Sequence, residues 1–228
     1  MANDLNMSND ALKQREIIRG VRVSPNFDEA AECERRIAFL AHYLASQNLA
    51  TYVLGISGGV DSTAAGRLSQ LTVERLRERG VKARFIAMRL PYGEQRDESD
   101  AQSAIEFVRP DETLTVDVKS AADAMLSSLL SGGAQFSDDG QQDFLLGNIK
   151  ARQRMVAQYA DVSARHGVVV GTDHAAESVM GFFTKLGDGG PTYCLLQAAI
   201  SDGCAQLRLI LRRMKRCGGK CQLLTLRH

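Results

Sequence analysis

The residues with the clearest chemical potential form a short glycine loop in the first third of the chain. This loop follows the apolar run Tyr52 to Leu54, and a helical pattern begins at its end. Its eight residues are Gly55, Ile56, Ser57, Gly58, Gly59, Val60, Asp61 and Ser62. Glycines let a backbone approach a ligand closely, and loop amides and a helix N-terminus direct partial positive charge to the same place. The loop therefore predicts a binding site for pyrophosphate.

The loop differs from the nucleotide loop G-x-x-x-x-G-K-[ST], because no lysine follows its glycines. This difference disfavours γ-phosphate transfer of the kinase or GTPase kind. A tight glycine turn between a strand and a helix is the alternative interpretation, and it would suffice for an isolated Gly-Gly pair. The acidic residues that occur later in the chain favour the phosphate site.

The composition is typical of a soluble, cytoplasmic enzyme with one domain. Of the 228 residues, 44% are hydrophobic, so the chain can bury a substantial core. No apolar run approaches the length of a membrane span, and residues 1–19 are polar and charged, unlike a signal peptide. The net charge of +1 gives no reason to expect a nucleic acid as a partner.

Short apolar runs alternate with amphipathic segments through residues 1–190. The predicted strands are 51–57, 84–90, 113–118 and 168–170, and the predicted helices are one that includes residues 37–44, then 62–79, 97–108, 121–130, 144–165 and 175–185. Residues 131–142 look like a mobile surface loop. This order predicts an α/β fold, a doubly wound and mostly parallel sheet with helices on both faces. Ligands of such a sheet bind beyond the carboxyl ends of its strands.

A second polar loop, residues 171–177, directly follows the apolar strand at 168–170. In a doubly wound sheet it can lie beside the glycine loop, so Asp61 and Glu177 could supply hard oxygen ligands to one Mg²⁺ that also holds phosphate oxygens. The alternative is a helix-start acid and a solvated helix acid, which is the commoner role of single acids. His174 could be a catalytic base, and a capping or packing role is at least as plausible.

Five separate motifs occur in order within residues 30–190. They are Leu54 to Ser62, Arg89-Leu90-Pro91-Tyr92-Gly93 with Gln95, Gly147 to Arg152, Val168 to Glu177, and Gly181 to Gly190. Together they resemble ammonia-dependent NAD synthetase, a family of ATP pyrophosphatases marked by an S-G-G-x-D-S loop. The resemblance implies an adenine nucleotide hydrolase-like fold, a homodimer and Mg²⁺ as cofactor. The implied reaction converts deamido-NAD, ATP and ammonia to NAD, AMP and pyrophosphate, with free ammonia as nitrogen source because no glutaminase domain precedes the loop.

The resemblance also implies roles for individual residues. The ATP-binding residues would be the whole glycine loop with Arg89, Leu90, Gln95 and Thr172, and Arg152 and Lys185 would contact deamido-NAD. Without the resemblance, Arg152 and Lys185 would be interpreted as solvated helix charges, and Arg89 as a strand-end charge. No catalytic nucleophile is implied, because positioning and electrostatics can drive an acyl-adenylate route.

The composition and the family pattern both change after Gly190. Residues 191–228 hold seven of the 28 basic residues, one of the 27 acidic residues and four of the five cysteines. Codons compatible with residues 190–193, 199–204 and 220–228 permit, when read in one shifted frame, Ala-Asp-Leu, Asn-Lys-Arg-Arg-Val and Val-Pro-Thr-Ala-Asp-Leu-Glu-Thr. These segments match the family. We therefore expect an ATP pyrophosphatase domain at 1–190 and an aberrant tail at 191–228, produced by one frameshift near codon 190.

The tail also contains features that invite other functions. Cys217, Cys221 and His228 suggest a zinc site, and the basic run Arg208 to Arg216 suggests nucleic-acid binding. We interpret both as products of the wrong reading frame, and the zinc pattern lacks a fourth ligand. The tail should pack loosely and leave the chain unstable or inactive. Two alternatives remain: an inactive nucleotide-binding remnant, or another ATP pyrophosphatase that amidates a different substrate.

Overall fold

The computed structural model describes residues 9–20, 28–94, 98–181, 184–187, 190, 192–196, 206, 207, 209 and 211. The helices are α1 (Asn9–Gly20), α2 (Glu29–Ser46), α3 (Val60–Glu78), α4 (Glu98–Val108), α5 (Lys119–Ser131), α6 (Asp139–Ala164) and α7 (Ala175–Met180). The strands are β1 (Thr51–Gly55), β2 (Arg84–Arg89), β3 (Glu112–Thr115), β4 (Gly167–Gly171) and β5 (Tyr193–Cys194). None of the helices within these residues is long and apolar enough to cross a bilayer.

The strands form a parallel sheet in the order β3-β2-β1-β4-β5. The chain runs from β1 outward to β3 and then returns to place β4 on the other side of β1. The direction of winding therefore reverses between β1 and β4, which confirms the prediction of a doubly wound parallel α/β fold. Ligand clefts of such folds lie at this point of reversal, outside the carboxyl ends of the strands.

The central strands bury both of their faces. One core contains side chains of α2, α3 and α4 together with Tyr52, Leu54, Phe85, Ala87, Val168 and Val170. The second core lies against α6 and contains Val53, Ile86, Met88, Val162 and Val169. Alternate residues of each strand thus enter opposite cores, which explains why the strands are apolar runs without polar alternation.

Most predicted elements are present with shifted ends, and one is much shorter than predicted. The helix predicted over 175–185 ends at Met180, because Gly181 adopts a left-handed backbone with φ 68° and stops the helix. Lys185 consequently lies in a turn. The surface loop predicted over 131–142 is also shorter, since α6 already begins at Asp139. Helix α1 was not predicted.

The described residues that follow Gly190 pack into the fold. Tyr193 and Cys194 of β5 pair with Val170 and Gly171 of β4. The buried tail residues of the first core are Leu195, Leu196, Leu207 and Leu211. Their burial argues against loose packing of these four residues, and the packing of the whole tail remains a prediction.

A buried arginine ties α2 to the same segment. Arg36 donates a hydrogen bond from Nη1 to the carbonyl oxygen of Leu195, at 2.7 Å. The domain boundary at 190 and the frameshift remain predictions. Cys217, Cys221, His228 and the basic residues between 208 and 216 lie outside the described residues.

Candidate functional site

A cleft opens at the carboxyl ends of β1 and β4, where these two strands separate. β1 pairs with β4 only through Thr51, Tyr52 and Val53, but it continues to pair with β2 as far as Gly55. The cleft has a volume of about 570 Å³ and is lined by the β1–α3 loop, the β4–α7 loop and one side of α6. Its place in the fold is where a ligand site is expected.

The glycine loop is a compact turn that its own hydroxyl groups hold together. The Oγ atoms of Ser57 and Ser62 lie 3.1 Å apart, and the Gly59 amide donates to Ser57 Oγ at 3.3 Å. Thr63 Oγ1 donates to the Gly59 carbonyl oxygen at 2.6 Å. Gly59 is the N-cap residue of α3 and supplies no side-chain cap. The N-terminus of a long helix therefore opens on the cleft, which suits an anionic phosphate group.

Gly58 is a position where only glycine fits the loop. Its φ is 97°, a conformation that other residues rarely adopt. A Cβ atom here would lie 2.8 Å from the backbone nitrogen of Ala101 and 3.0 Å from the backbone carbon of Asp100. The loop thus contacts the first turn of α4 directly, and this contact limits how the loop backbone can be placed.

Gly58→Ala is expected to lower the free energy of unfolding by about 1–3 kcal/mol, through backbone strain and the contact with Ala101. Gly133→Ala is the matched control, because Gly133 has φ 91° but no atom within 4 Å of a Cβ. Urea unfolding of both variants separates backbone strain from the contact. Equal losses in the two variants would show that the contact with α4 is unimportant.

Asp61 and Glu177 converge on His174 from the two loops. Nε2 of His174 lies 3.9 Å from Asp61 Oδ1 and 3.9 Å from Glu177 Oε2. Glu177 Oε2 also accepts the backbone N–H of His174 at 3.1 Å, which fixes the first turn of α7. The structure thus brings the two polar loops side by side, as the sequence indicated.

The two carboxylates are suitable for Mg²⁺. Both line the cleft, and their side chains are about one third exposed, so a cation and phosphate oxygens can reach them. Over the part of the chain that the structure describes, no three His, Cys, Asp or Glu side chains are placed to hold a metal by themselves. A cation here therefore needs further oxygens from phosphate or water. The buried ring of His174 packs between the acids, as expected of a packing residue.

The structure gathers most of the residues predicted to bind ATP. Those that line the cleft are Gly55, Ile56, Ser57, Gly59, Asp61, Ser62, Leu90 and Thr172, and the predicted metal ligand Glu177 lines it as well. Gly58 and Val60 belong to the same loop without lining the cleft. Gln95 lies outside the described residues.

The predicted cationic ligands do not line the cleft. Arg89 is buried and forms two hydrogen bonds of 3.0 and 2.9 Å with the carboxylate of Glu98 at the start of α4. Arg152 donates from Nε to the backbone carbonyl oxygen of Lys185 at 3.2 Å. The two residues predicted to bind deamido-NAD are therefore neighbours, beside cleft residues Ala151 and Thr184. The ligand contacts of all three cations remain predictions.

Sequence reasoning missed Arg154 and Gln158 on the side of the cleft that α6 supplies. Gln158 Oε1 accepts the backbone N–H of Gly55 at 2.9 Å, and Arg154 Nε donates to the Leu90 carbonyl oxygen at 3.0 Å. The only available signal was their spacing of four residues, which places both on one side of a helix. That spacing does not distinguish a cleft from solvent.

The contact of Cys194 with Asp173 of the second polar loop was also missed. The Cys194 thiol donates to Asp173 Oδ2 at 3.7 Å, and Asp173 lines the cleft. Burial, followed by the negative charge of Asp173, raises the pKa of Cys194 to about 11. The thiol is therefore protonated at neutral pH and is a poor nucleophile.

This chain is similar to known proteins of one family. A family model described as NAD synthase matches residues 32–202. An NH(3)-dependent NAD(+) synthetase of Burkholderia mallei (strain SAVP1) is 66% identical over 180 residues, which are 79% of this chain and 63% of that protein. This chain thus spans less than two thirds of the length of that relative.

Solved structures give the same result. A crystal structure of an NAD+ synthetase from Burkholderia pseudomallei has a TM-score of 0.82 and 55% identity, over 89% of this chain and 84% of that one. An NMN synthetase from Francisella tularensis has a TM-score of 0.69 and 28% identity, over 84% of this chain and 74% of that one. Since the family model spans most of the chain and includes both loops of the cleft, this chain belongs to the NAD synthase family.

Proposed function

We propose that this chain amidates deamido-NAD with ammonia at the expense of ATP, giving NAD, AMP and pyrophosphate. The observation that carries the proposal is the meeting of the glycine loop with Asp61 and Glu177 in one cleft. Membership of the NAD synthase family supports the choice of substrate. A glycine loop without a lysine supports cleavage at the α-phosphorus rather than transfer of the γ-phosphate.

The reaction proceeds in two steps. The nicotinate carboxylate is a poor acyl donor, so one of its oxygens attacks the α-phosphorus of ATP, and pyrophosphate departs from that phosphorus as the acyl-adenylate forms. Ammonia then attacks the carbonyl carbon, loses a proton to the surroundings and displaces AMP. Both steps need substrates held in line more than they need a reactive side chain, and alignment alone can supply about 7–11 kcal/mol.

The residues of the cleft divide this work. The amides of the glycine loop and the N-terminus of α3 hold the departing pyrophosphate. Asp61 and Glu177 would hold Mg²⁺, which would offset the negative charge of the phosphate oxygens. Leu90 and Thr172 contact ATP from the cleft wall. Outside that lining, Arg89 and Gln95 complete the ATP site, and Arg152 and Lys185 bind deamido-NAD.

The active form is proposed to be a cytoplasmic homodimer. Two helices on one side of the molecule leave apolar side chains exposed, which are Met125, Leu129 and Leu130 of α5 with Phe144 and Val156 of α6. Of the 26 residues of α6, only Ala151, Gln158 and Val162 are buried among those described. A second copy that covers these helices would remove apolar surface from water.

Ammonium salts are expected to support NAD formation by the purified protein with its predicted frameshift corrected, whereas glutamine is not. Release of ammonia from glutamine needs a reactive nucleophile, and the thiols among the described residues do not provide one. Cys33 is buried in the core and Cys194 has a raised pKa. NAD is measured with each nitrogen source, and glutamine with an added glutaminase is the positive control. Glutamine-supported synthesis by the protein alone would contradict this prediction.

The proposed function is tested by measuring AMP and pyrophosphate release with ATP and deamido-NAD. Equal amounts of AMP, pyrophosphate and NAD are expected. The mononucleotide counterpart of deamido-NAD is the comparison substrate, because one structural neighbour is named an NMN synthetase. Preference for the mononucleotide favours a different substrate of the same chemistry. Binding of ATP without any AMP release favours a non-catalytic remnant.

A further inference from the structure

The opening of the sheet leaves one backbone group of β1 in need of a new partner. Neighbouring residues of a strand direct their N–H groups to opposite sides. The Ile56 N–H donates to the Met88 carbonyl oxygen of β2 at 2.8 Å, so the Gly55 N–H points toward β4. β4 pairs with β1 no farther than Val53 and Val169. A partly buried N–H without a partner here would be destabilising.

Gln158 supplies that partner from the side chain of a helix. Its Oε1 accepts the Gly55 N–H at 2.9 Å, and its Nε2 lies 3.4 Å from the Arg154 carbonyl oxygen one turn earlier in α6. The Gly55 donor requires an acceptor, so the amide orientation is fixed with the oxygen toward the strand. Gln158 is only 8% exposed, and a Cβ on Gly55 would lie 3.5 Å from its Oε1.

This contact sits at the start of the glycine loop. Gly55 is the last residue of β1 and the first of the loop, and both Gly55 and Gln158 line the cleft. The Ile56 N–H is bonded to β2 and the Gly55 N–H to Gln158. Together these two bonds fix the backbone from which the following loop amides extend. An acceptor on a regular helix is a rigid support, as preorganised binding groups require.

We propose that Gln158 is a positioning residue of the pyrophosphate site. Its side chain replaces β4 as the hydrogen-bond partner of β1 where the two strands separate. It thereby holds the glycine loop in the position in which its amides can bind pyrophosphate. This inference rests on the proposed function, since it assigns pyrophosphate to the loop. Gln158 itself takes no part in bond formation.

Three substitutions separate the acceptor from the bulk of the side chain. Gln158→Met keeps the length and removes the acceptor, Gln158→Asn keeps the amide but falls one methylene short, and Gln158→Glu keeps both length and an acceptor oxygen. Gln153→Met, on the same helix but outside the cleft lining, is the matched control. The probes are pyrophosphate with Mg²⁺, titrated by calorimetry into the 228-residue chain, and amide hydrogen exchange of Gly55.

The Met and Asn variants are expected to bind pyrophosphate about tenfold more weakly and to exchange the Gly55 amide faster. The Glu variant should restore slow exchange at Gly55, and Gln153→Met should change neither readout. A merely structural role would lower the unfolding temperature without changing the affinity of the folded molecules. Unchanged pyrophosphate affinity in a folded Met variant overturns the inference. If the Met variant does not fold, the same result in the Asn variant overturns it.

The proposed function and the positioning role of Gln158 can be contradicted by different results. A parent chain that binds pyrophosphate but forms no AMP contradicts the proposed reaction, while the comparison of Gln158 variants still decides the positioning role. A parent chain that binds no pyrophosphate contradicts both.

Discussion

Asp61→Asn and Glu177→Gln are each expected to reduce Mg²⁺-dependent AMP formation at least about 100-fold, in a version of the protein with the predicted frameshift near codon 190 corrected. If the proposed metal site is correct, each change removes one anionic oxygen ligand from the cation that offsets the negative charge of the leaving pyrophosphate. Both side chains are about one third exposed, so the fold should persist. A glutamine at 177 can still accept the His174 N–H and keep the first turn of α7. AMP release is measured across a range of Mg²⁺ concentrations.

The control for these variants is Asp139→Asn. Asp139 is an exposed acid in the first turn of α6, as Asp61 is an acid in the first turn of α3. If Asp61 acts only on the helix dipole, both Asn variants lose about 0.3–1 kcal/mol of stability and keep their activity. Near-normal AMP formation at limiting Mg²⁺ by either cleft variant would show that its assignment as a metal ligand is wrong.

The glycine loop could be predicted because its requirements are local. The left-handed backbone at Gly58 and the small residues around it are properties of a few neighbouring positions. The sheet could be predicted for a related reason, since strands buried on both faces must be apolar throughout. Gln158 could not be identified in the same way. Its importance depends on where β4 separates from β1. The residues near Gln158 in the sequence do not indicate that position.

The burial of single tail residues could not be predicted for a different reason. Charge and cysteine content describe residues 191–228 as a whole, whereas burial depends on where single apolar residues fall. Leu207 and Leu211 are four residues apart and are both buried, while Leu209 between them is 58% exposed. Cores accept hydrophobic side chains of suitable size from many sequences. A segment of aberrant composition can therefore still contribute side chains to the core.

Leu207→Ala and Leu211→Ala are each expected to lower the free energy of unfolding by about 2–5 kcal/mol. Both leucines are at most 1% exposed in the core that α2 and α3 share, so truncation leaves a cavity there. Because domains are stable by only about 5–15 kcal/mol, the double variant should unfold near room temperature. Removal of all residues after Gly190 should have a larger effect, since it also removes β5, Leu195 and Leu196.

Leu209→Ala is the matched control, with the same chemical change on the same segment and an expected loss below about 0.5 kcal/mol. Urea unfolding of the three single variants, followed by circular dichroism, measures the differences. A much smaller loss for Leu209→Ala than for Leu207→Ala and Leu211→Ala means that these two leucines of the tail help to complete the core. Equal and small losses of unfolding free energy at all three positions would instead support the predicted loosely packed tail, because truncation of a side chain outside the core creates no cavity.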